Sequence, residues 1–177
     1  GNAAAASATN SIAFGPGSAA SAQSAVAFNT TAAKYEEFAT LHVSHLGLTN
    51  TVTGTAATEL FLDGSSLTAA VPTATAWIVD VYCFARVLVA GNGTVAANDS
   101  FAAVYRCVIA NKGGTTALIG TVDTEMAAKS DASMADVVFT ITADNTGDYL
   151  KVTYTAGANS GSTTQTRATA KLKVQKF

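Results

Sequence analysis

The chain has two cysteines, two prolines, two methionines and one tryptophan among 177 residues, and only 12% of it is charged. Each shortage excludes something. Cys83 and Cys107 are too few for a disulfide scaffold and lack any metal-motif spacing. Ten Lys and Arg, thinly spread, make no basic stripe of the kind a nucleic acid requires. Against twelve Asp and Glu they leave a net charge of −2, which with a positive mean hydropathy excludes disorder of the charged kind. No apolar run approaches the roughly 20 residues of a membrane-spanning helix. The first basic residue is Lys34, so the opening stretch lacks a basic n-region and is not expected to be a signal peptide.

Alanine and threonine are abundant, with 37 and 26 residues. Alanine adds little to a core, so the core is expected from Val, Ile, Leu and the eight Phe. That suffices for one modest domain with a short appendage. A Thr-rich, weakly charged remainder points to β structure.

An internal repeat opens the chain. Asn10-Ser11-Ile12-Ala13-Phe14-Gly15 recurs fourteen residues on as Ser24-Ala25-Val26-Ala27-Phe28-Asn29, and Ala5-Ala6-Ser7-Ala8 recurs as Ala19-Ala20-Ser21-Ala22. That period suits a solenoid rung of two short strands and two turns. The unit resembles the head repeat of the YadA-type trimeric adhesins, a left-handed parallel β-roll with an Asn-Ser-hydrophobic-Ala-hydrophobic-Gly core. The first copy carries the core intact, whereas the second departs from it at Ser24 and Asn29. Two rungs stack to only about 10 Å and cannot bury their own faces. A longer shaft or partner chains are expected to complete them, with Ile12, Phe14, Val26 and Phe28 at a trimer interface.

Residues 1–29 are thus expected to be a two-repeat β-roll, 30–57 a connecting segment and 58–177 an antiparallel β-sandwich or jelly roll. The connecting segment holds the charge cluster Lys34-Tyr35-Glu36-Glu37, a loosely alternating Phe38–Leu48 and a Thr-rich loop over Thr49–Ala57. Beyond it, apolar runs and turn signals succeed one another. Trp77 to Val89 and Phe101 to Ile109 read as strands joined at Gly91-Asn92-Gly93. Alternation puts Cys83 with Trp77, Val79, Val81 and Val87, and Cys107 with Phe101, Tyr105 and Ile109, so both thiols are expected buried and reduced. Thr115 to Val122 is a further strand, and Thr124 to Ser133 has room for a helical turn. Asp144-Asn145-Thr146-Gly147 marks a hairpin between Val137–Ala143 and Tyr149–Thr155, and Thr163 to Phe177 alternates as a closing strand.

The stretch Thr55-Ala56-Ala57-Thr58-Glu59-Leu60-Phe61-Leu62-Asp63-Gly64-Ser65-Ser66 resembles a motif that opens the C-terminal β-domain of bacteriophage and prophage tail fibre and spike proteins. The order of later segments is similar too: a Trp-led strand, Ala117-Leu118-Ile119-Gly120-Thr121-Val122, Asp148 to Thr155, and a closing strand with Arg167. Where the family has Arg-Trp, this chain has Arg167-Ala168. The resemblance implies an external virion appendage, an intertwined homotrimer made in the bacterial host cytoplasm. Its head would bind a receptor, a host surface glycan or protein, and its shaft other virion proteins. A structural virion protein without receptor contact (a head fibre, capsid decoration or tail adaptor) and a bacterial trimeric adhesin are the alternatives.

The chemistry-bearing residues support no enzyme, metal site or cofactor on sequence grounds. His42 and His45, at i and i+3, fall on opposite faces of a strand and would not chelate together. No Gly-x-Ser-x-Gly elbow is present, and Asp99, Asp123, Glu125, Asp131 and Asp136 are scattered. Spikes that degrade polysaccharide also usually carry a far longer β-helix. Receptor contacts are expected at tip loops, through Asn92, Asn98, Asp99, Asn145 and Asp148. Tyr82 and Phe84, beside Asp80 and Arg86, are expected at a trimer interface, where an Asp–Arg pair across subunits would fix register. Neither nucleic acid nor membrane insertion is expected.

Overall fold

The fourteen-residue sequence offset reappears as a strand register. In the computed structural model, which describes residues 5–6, 12–14, 19–20, 26–28 and 43–177, β1 (Ala5–Ala6), β2 (Ile12–Phe14), β3 (Ala19–Ala20) and β4 (Val26–Phe28) pair in parallel. Ala5 lies opposite Ala19, Ile12 opposite Val26 and Phe14 opposite Phe28. Each residue thus meets its own counterpart one repeat later, as stacked rungs require. The Lys34–Glu37 cluster and His42 lie outside the described residues.

The chain divides into two compact units, Gly1–Ser44 with Val174–Phe177, and His45–Lys173. The remaining strands are β5 (Val43–Thr53), β6 (Thr58–Glu59), β7 (Ala69–Ala70), β8 (Thr75–Val89), β9 (Ser100–Asn111), β10 (Thr116–Leu118), β11 (Asp123–Ser130), β12 (Val138–Asp144), β13 (Tyr149–Thr155) and β14 (Gln165–Lys176). They form two sheets. The larger runs β10-β9-β8-β14-β5, with β11 also on β9; the smaller runs β12-β13-β6, with β7 also on β13. The ladders of β8, β10 and β11 with β9, and of β12, β6 and β7 with β13, are antiparallel.

Strict alternation builds the core. On β8, Trp77, Val79, Val81, Cys83, Ala85 and Val87 are buried, while Phe84, Arg86 and Leu88 are exposed. On β14, Ala168, Ala170 and Leu172 are buried while Arg167 and Lys171 face solvent. Phe139, Ile141, Leu150, Val152 and Tyr154 supply the inner face of the smaller sheet. The sheets meet at Phe101, whose ring stacks on Phe139 at 5.6 Å between centroids; Phe139 in turn meets Tyr154 edge-on at 5.4 Å.

The segment from Glu59 to Leu67 joins the sheets. Leu60 donates its N–H to the Val152 carbonyl, and Phe61 forms a two-way backbone bridge with Thr49 of β5. Asp63 Oδ1 then accepts the N–H groups of Ser65, Ser66 and Leu67 at 2.8 to 2.9 Å, which holds its carboxyl well below the usual range. Gly64 supplies the φ of 79° that this turn needs.

Two elements depart from the sequence reading. The Thr-rich stretch from Thr49 to Thr53 is part of β5, because its threonines pair along β14, as in the Thr49 Oγ1 bond to the Ala168 carbonyl at 3.2 Å. The segment given room for a helical turn is instead β11, exposed along all eight residues, with register shifts at Thr124/Met126 and Met126/Lys129; a single 3-10 turn follows at Ala132–Met134.

Cys83 lies opposite Ala103 and Cys107 opposite Val79, four positions apart on one ladder, or about 13 Å at the usual strand rise. No disulfide can span that distance. Burial pushes both thiols up to about 12. Native protein at pH 8 is therefore expected to leave both thiols unreacted toward a disulfide reagent and to release two per chain in denaturant. Rapid labelling of native protein would contradict this burial.

Candidate functional site

The outer face of the larger sheet carries what the core face excludes. On β8 it presents Tyr82, Phe84, Arg86 and Leu88; Phe84 is 47% exposed and Leu88 41%. Two adjoining grooves lie on it, sharing Phe84. One, of about 660 Å³, is lined by Phe84, Arg86, Leu88, Lys129, Asp131 and Arg167, among others. The second, of about 360 Å³, is lined by His45, Tyr82, Phe84, Lys171 and Lys173. Both fall near the range of roughly 300–1,000 Å³ typical of small-ligand sites.

The electrostatics of this face are one-sided. Five of the ten Lys and Arg, namely Arg86, Lys129, Arg167, Lys171 and Lys173, line the two grooves. Among the described residues, none of the five takes part in an ion pair. Arg86 is held by a neutral partner, the Asn98 amide oxygen, which positions the guanidinium and leaves its charge uncompensated. Asp131, the one carboxylate in the first groove, is occupied by the Ser100 N–H at 2.7 Å and hydroxyl at 3.2 Å.

Elsewhere the described acidic residues, Asp123 excepted, are engaged within the chain. Asp80 and Glu125 both engage Arg106, at 2.7 and 3.3 Å. Asp80, expected beside Arg86 in a pair across subunits, instead pairs with Arg106 of its own chain, because the two sit opposite each other on the β8–β9 ladder. Glu59 and Asp144 converge on Lys151 Nζ at 3.2 and 4.0 Å, and with burial they push the Tyr149 hydroxyl upward. Asp136 accepts the Ala158 N–H at 2.5 Å.

Each tip-loop residue expected to touch a receptor has a partner inside the chain. Asn92 Oδ1 accepts the Thr163 N–H and hydroxyl at 3.1 and 3.0 Å, and its Nδ2 donates to Ser162 Oγ at 3.2 Å. Asp99 Oδ2 accepts the Ala96 N–H and the Ser133 hydroxyl, which lowers its pKa, and Asn98 holds Arg86. Asn145 and Asp148 accept the N–H and hydroxyl of Thr116, at 2.6 and 2.7 Å. The two loop groups lie at opposite ends of β8, on the order of 40 Å apart at the usual strand rise. One small contact cannot use both. Ile12, Phe14, Val26 and Phe28 belong to the paired strands β2 and β4, Tyr82 and Phe84 to the groove face.

The sequence reading treated Phe84 and Tyr82 as interface residues and missed the cations on β14 and β11 that share their surroundings. The available signal was the alternation Arg167, Thr169, Lys171, Lys173, which marks one cationic strand face.

With that geometry in hand, comparison with known proteins gives one kind of match. No protein-family model matches the chain, and no curated protein matches it. Three solved structures it is similar to are phage tailspikes. The Acinetobacter baumannii phage AM24 tailspike is similar at TM-score 0.37 and 13% identity, over 75% of this chain and 26% of that one. A tailspike of the Acinetobacter baumannii bacteriophage Fri1, described as a capsular polysaccharide depolymerase, is similar at TM-score 0.33 and 8% identity, over 86% of this chain and 27% of that one. The chain thus spans about a quarter of the length of the tailspikes it matches. These comparisons correct the expectation that the protein is not an enzyme, since a depolymerase stands among its structural neighbours. That expectation rested on the scatter of Asp99, Asp123, Glu125, Asp131 and Asp136 along the sequence.

The 90s loop is locked as well as bonded. A Cβ on Gly93 would run into the Asn159 carbonyl and the Gly161 amide, so the two loop backbones approach as only glycine allows. Gly93→Ala is expected to lower the melting temperature by several degrees, as a change of about 1–2 kcal/mol does in a domain of this size. Melting followed by circular dichroism checks this; an unchanged midpoint would show that the loops separate without cost.

Proposed function

We propose that the chain is a host-attachment domain of a phage tail fibre or tailspike, carried on the virion as a homotrimer. The observation that carries this reading is the outer face of the larger sheet, where Phe84 and Leu88 stand exposed among unpaired cations beside two grooves. An exposed aromatic and aliphatic platform flanked by polar groups is the ordinary form of a recognition surface, and burying it against a ligand is favourable. The resemblance of the Thr55–Ser66 and Asp148–Thr155 segments to phage fibre domains supports the same reading.

The homotrimer is supported by the repeats. Two parallel rungs at a fourteen-residue register cannot bury their own faces, and copies of the same chain supply matching rungs. The outer groove face then remains available to the host surface, while the repeat region joins the chains to one another and to the rest of the particle.

Purified protein is expected to adsorb to susceptible cells and to reduce virion adsorption in a dose-dependent way. Saturating protein that leaves adsorption unchanged would remove the attachment reading. Light scattering after size exclusion is expected to give three times the 17.8 kDa of the chain, and a stable monomer would remove the trimer.

A further inference from the structure

The attachment reading leaves open what the grooves hold. We propose that they hold a single carboxylate-bearing polysaccharide chain, with Arg86, Lys129 and Arg167 meeting its carboxylates and Phe84 and Leu88 lying under the faces of its sugar rings. This inference rests on the attachment reading and narrows it to one ligand class.

Three observations carry it. First, the charge is concentrated: a chain of net charge −2 gathers five of its ten Lys and Arg around these grooves, and no carboxylate among the described residues pairs with any of them. Folding five like charges onto one face has a cost that a bound anion offsets, and the cations remain available for charge-assisted hydrogen bonds. Second, the positions suit an extended ligand. Arg86 is on β8, Arg167 on β14 and Lys129 on β11, so the cations span several strands about 4.8 Å apart instead of converging on one point. A compact anion such as phosphate would use a convergent cluster; a chain with one carboxylate per sugar or disaccharide uses a row. Third, the apolar groups between the cations are flat or broad and exposed, which suits the C–H faces of sugar rings more than a fully polar ligand.

A second copy of this chain fits the same face poorly. Its described carboxylates are engaged at home, on Arg106, on Lys151, or on backbone N–H and hydroxyl groups, with Asp123 the exception. A copy therefore has few acidic groups to offer five cations, and a like-charged approach is repulsive. Nucleic acid, the other extended polyanion, prefers a surface with aromatic stacking platforms along its length, and here one exposed Phe serves the first groove.

The test is calorimetric titration of the intact protein with oligogalacturonate, with the same oligomer after its carboxyls are reduced, and with a single-stranded oligonucleotide of similar charge. The acidic sugar is expected to bind, more weakly as salt rises, and the neutral one at least about tenfold more weakly. The double variant K129Q/R167Q removes two exposed charges that make no side-chain hydrogen bond or ion pair with the described residues, and it is expected to lose about tenfold in affinity for the acidic sugar. K112Q, on a distant turn, is expected to bind like the parent, and melting curves establish that both variants are folded. Equal binding of the neutral sugar, parental affinity in K129Q/R167Q, tighter binding of the oligonucleotide, or no binding of oligogalacturonate at low salt would each overturn the proposal. Adsorption competition separates this failure from that of the attachment reading: if the parent protein competes with virions and K129Q/R167Q competes equally well, attachment stands and the groove assignment falls.

Discussion

The register of β8 against β9 governs everything else in the larger unit. Twelve residue pairs, from Thr75 with Asn111 to Arg86 with Ser100, decide that Val79, Val81 and Cys83 go inward while Tyr82, Phe84 and Arg86 go outward. A slip of one residue would bury Arg86 and expose Val87, so the core and the groove face are specified by one ladder. The Asp80–Arg106 pair sits mid-ladder on the outer face and adds a polar check on the same alignment: only the native register sets the two side by side.

The second dependence is the join between sheets. Two antiparallel sheets can slide over an apolar interface, since dispersion and hydrophobic contact have little directionality. Here the chain crosses between them through Leu60 and Phe61, one making a backbone bond to β13 and the other bridging to β5. The Asp63 turn fixes the exit, so the crossing behaves as a rivet. The acidic residue of this segment is thus committed to the fold, aimed at three backbone N–H groups.

Much of this was legible in the residues. The hairpin over Asp144–Tyr149, the burial of both cysteines and the dry and wet faces of β14 follow from alternation and turn chemistry. What escaped was set by partners distant in sequence. Thr49–Thr53 is extended because β14, more than a hundred residues on, completes its pairing. Asn92 reads as a hairpin tip, yet its amide is spent on Ser162 and Thr163. The groove escaped for the same reason: its cations come from three strands, and no local pattern announces that Lys129 will stand near Arg167.

The irregular pairing of β11 has a further consequence. A sheet edge with long, regular, apolar pairing invites other copies to add strands. β11 covers that edge of β9 with eight exposed residues, among them Asp123, Glu125 and Lys129, and breaks its own register twice. A strand so charged and kinked is a poor template for the next copy. The element that contributes a cation to the groove is thereby also a guarded edge of the larger sheet.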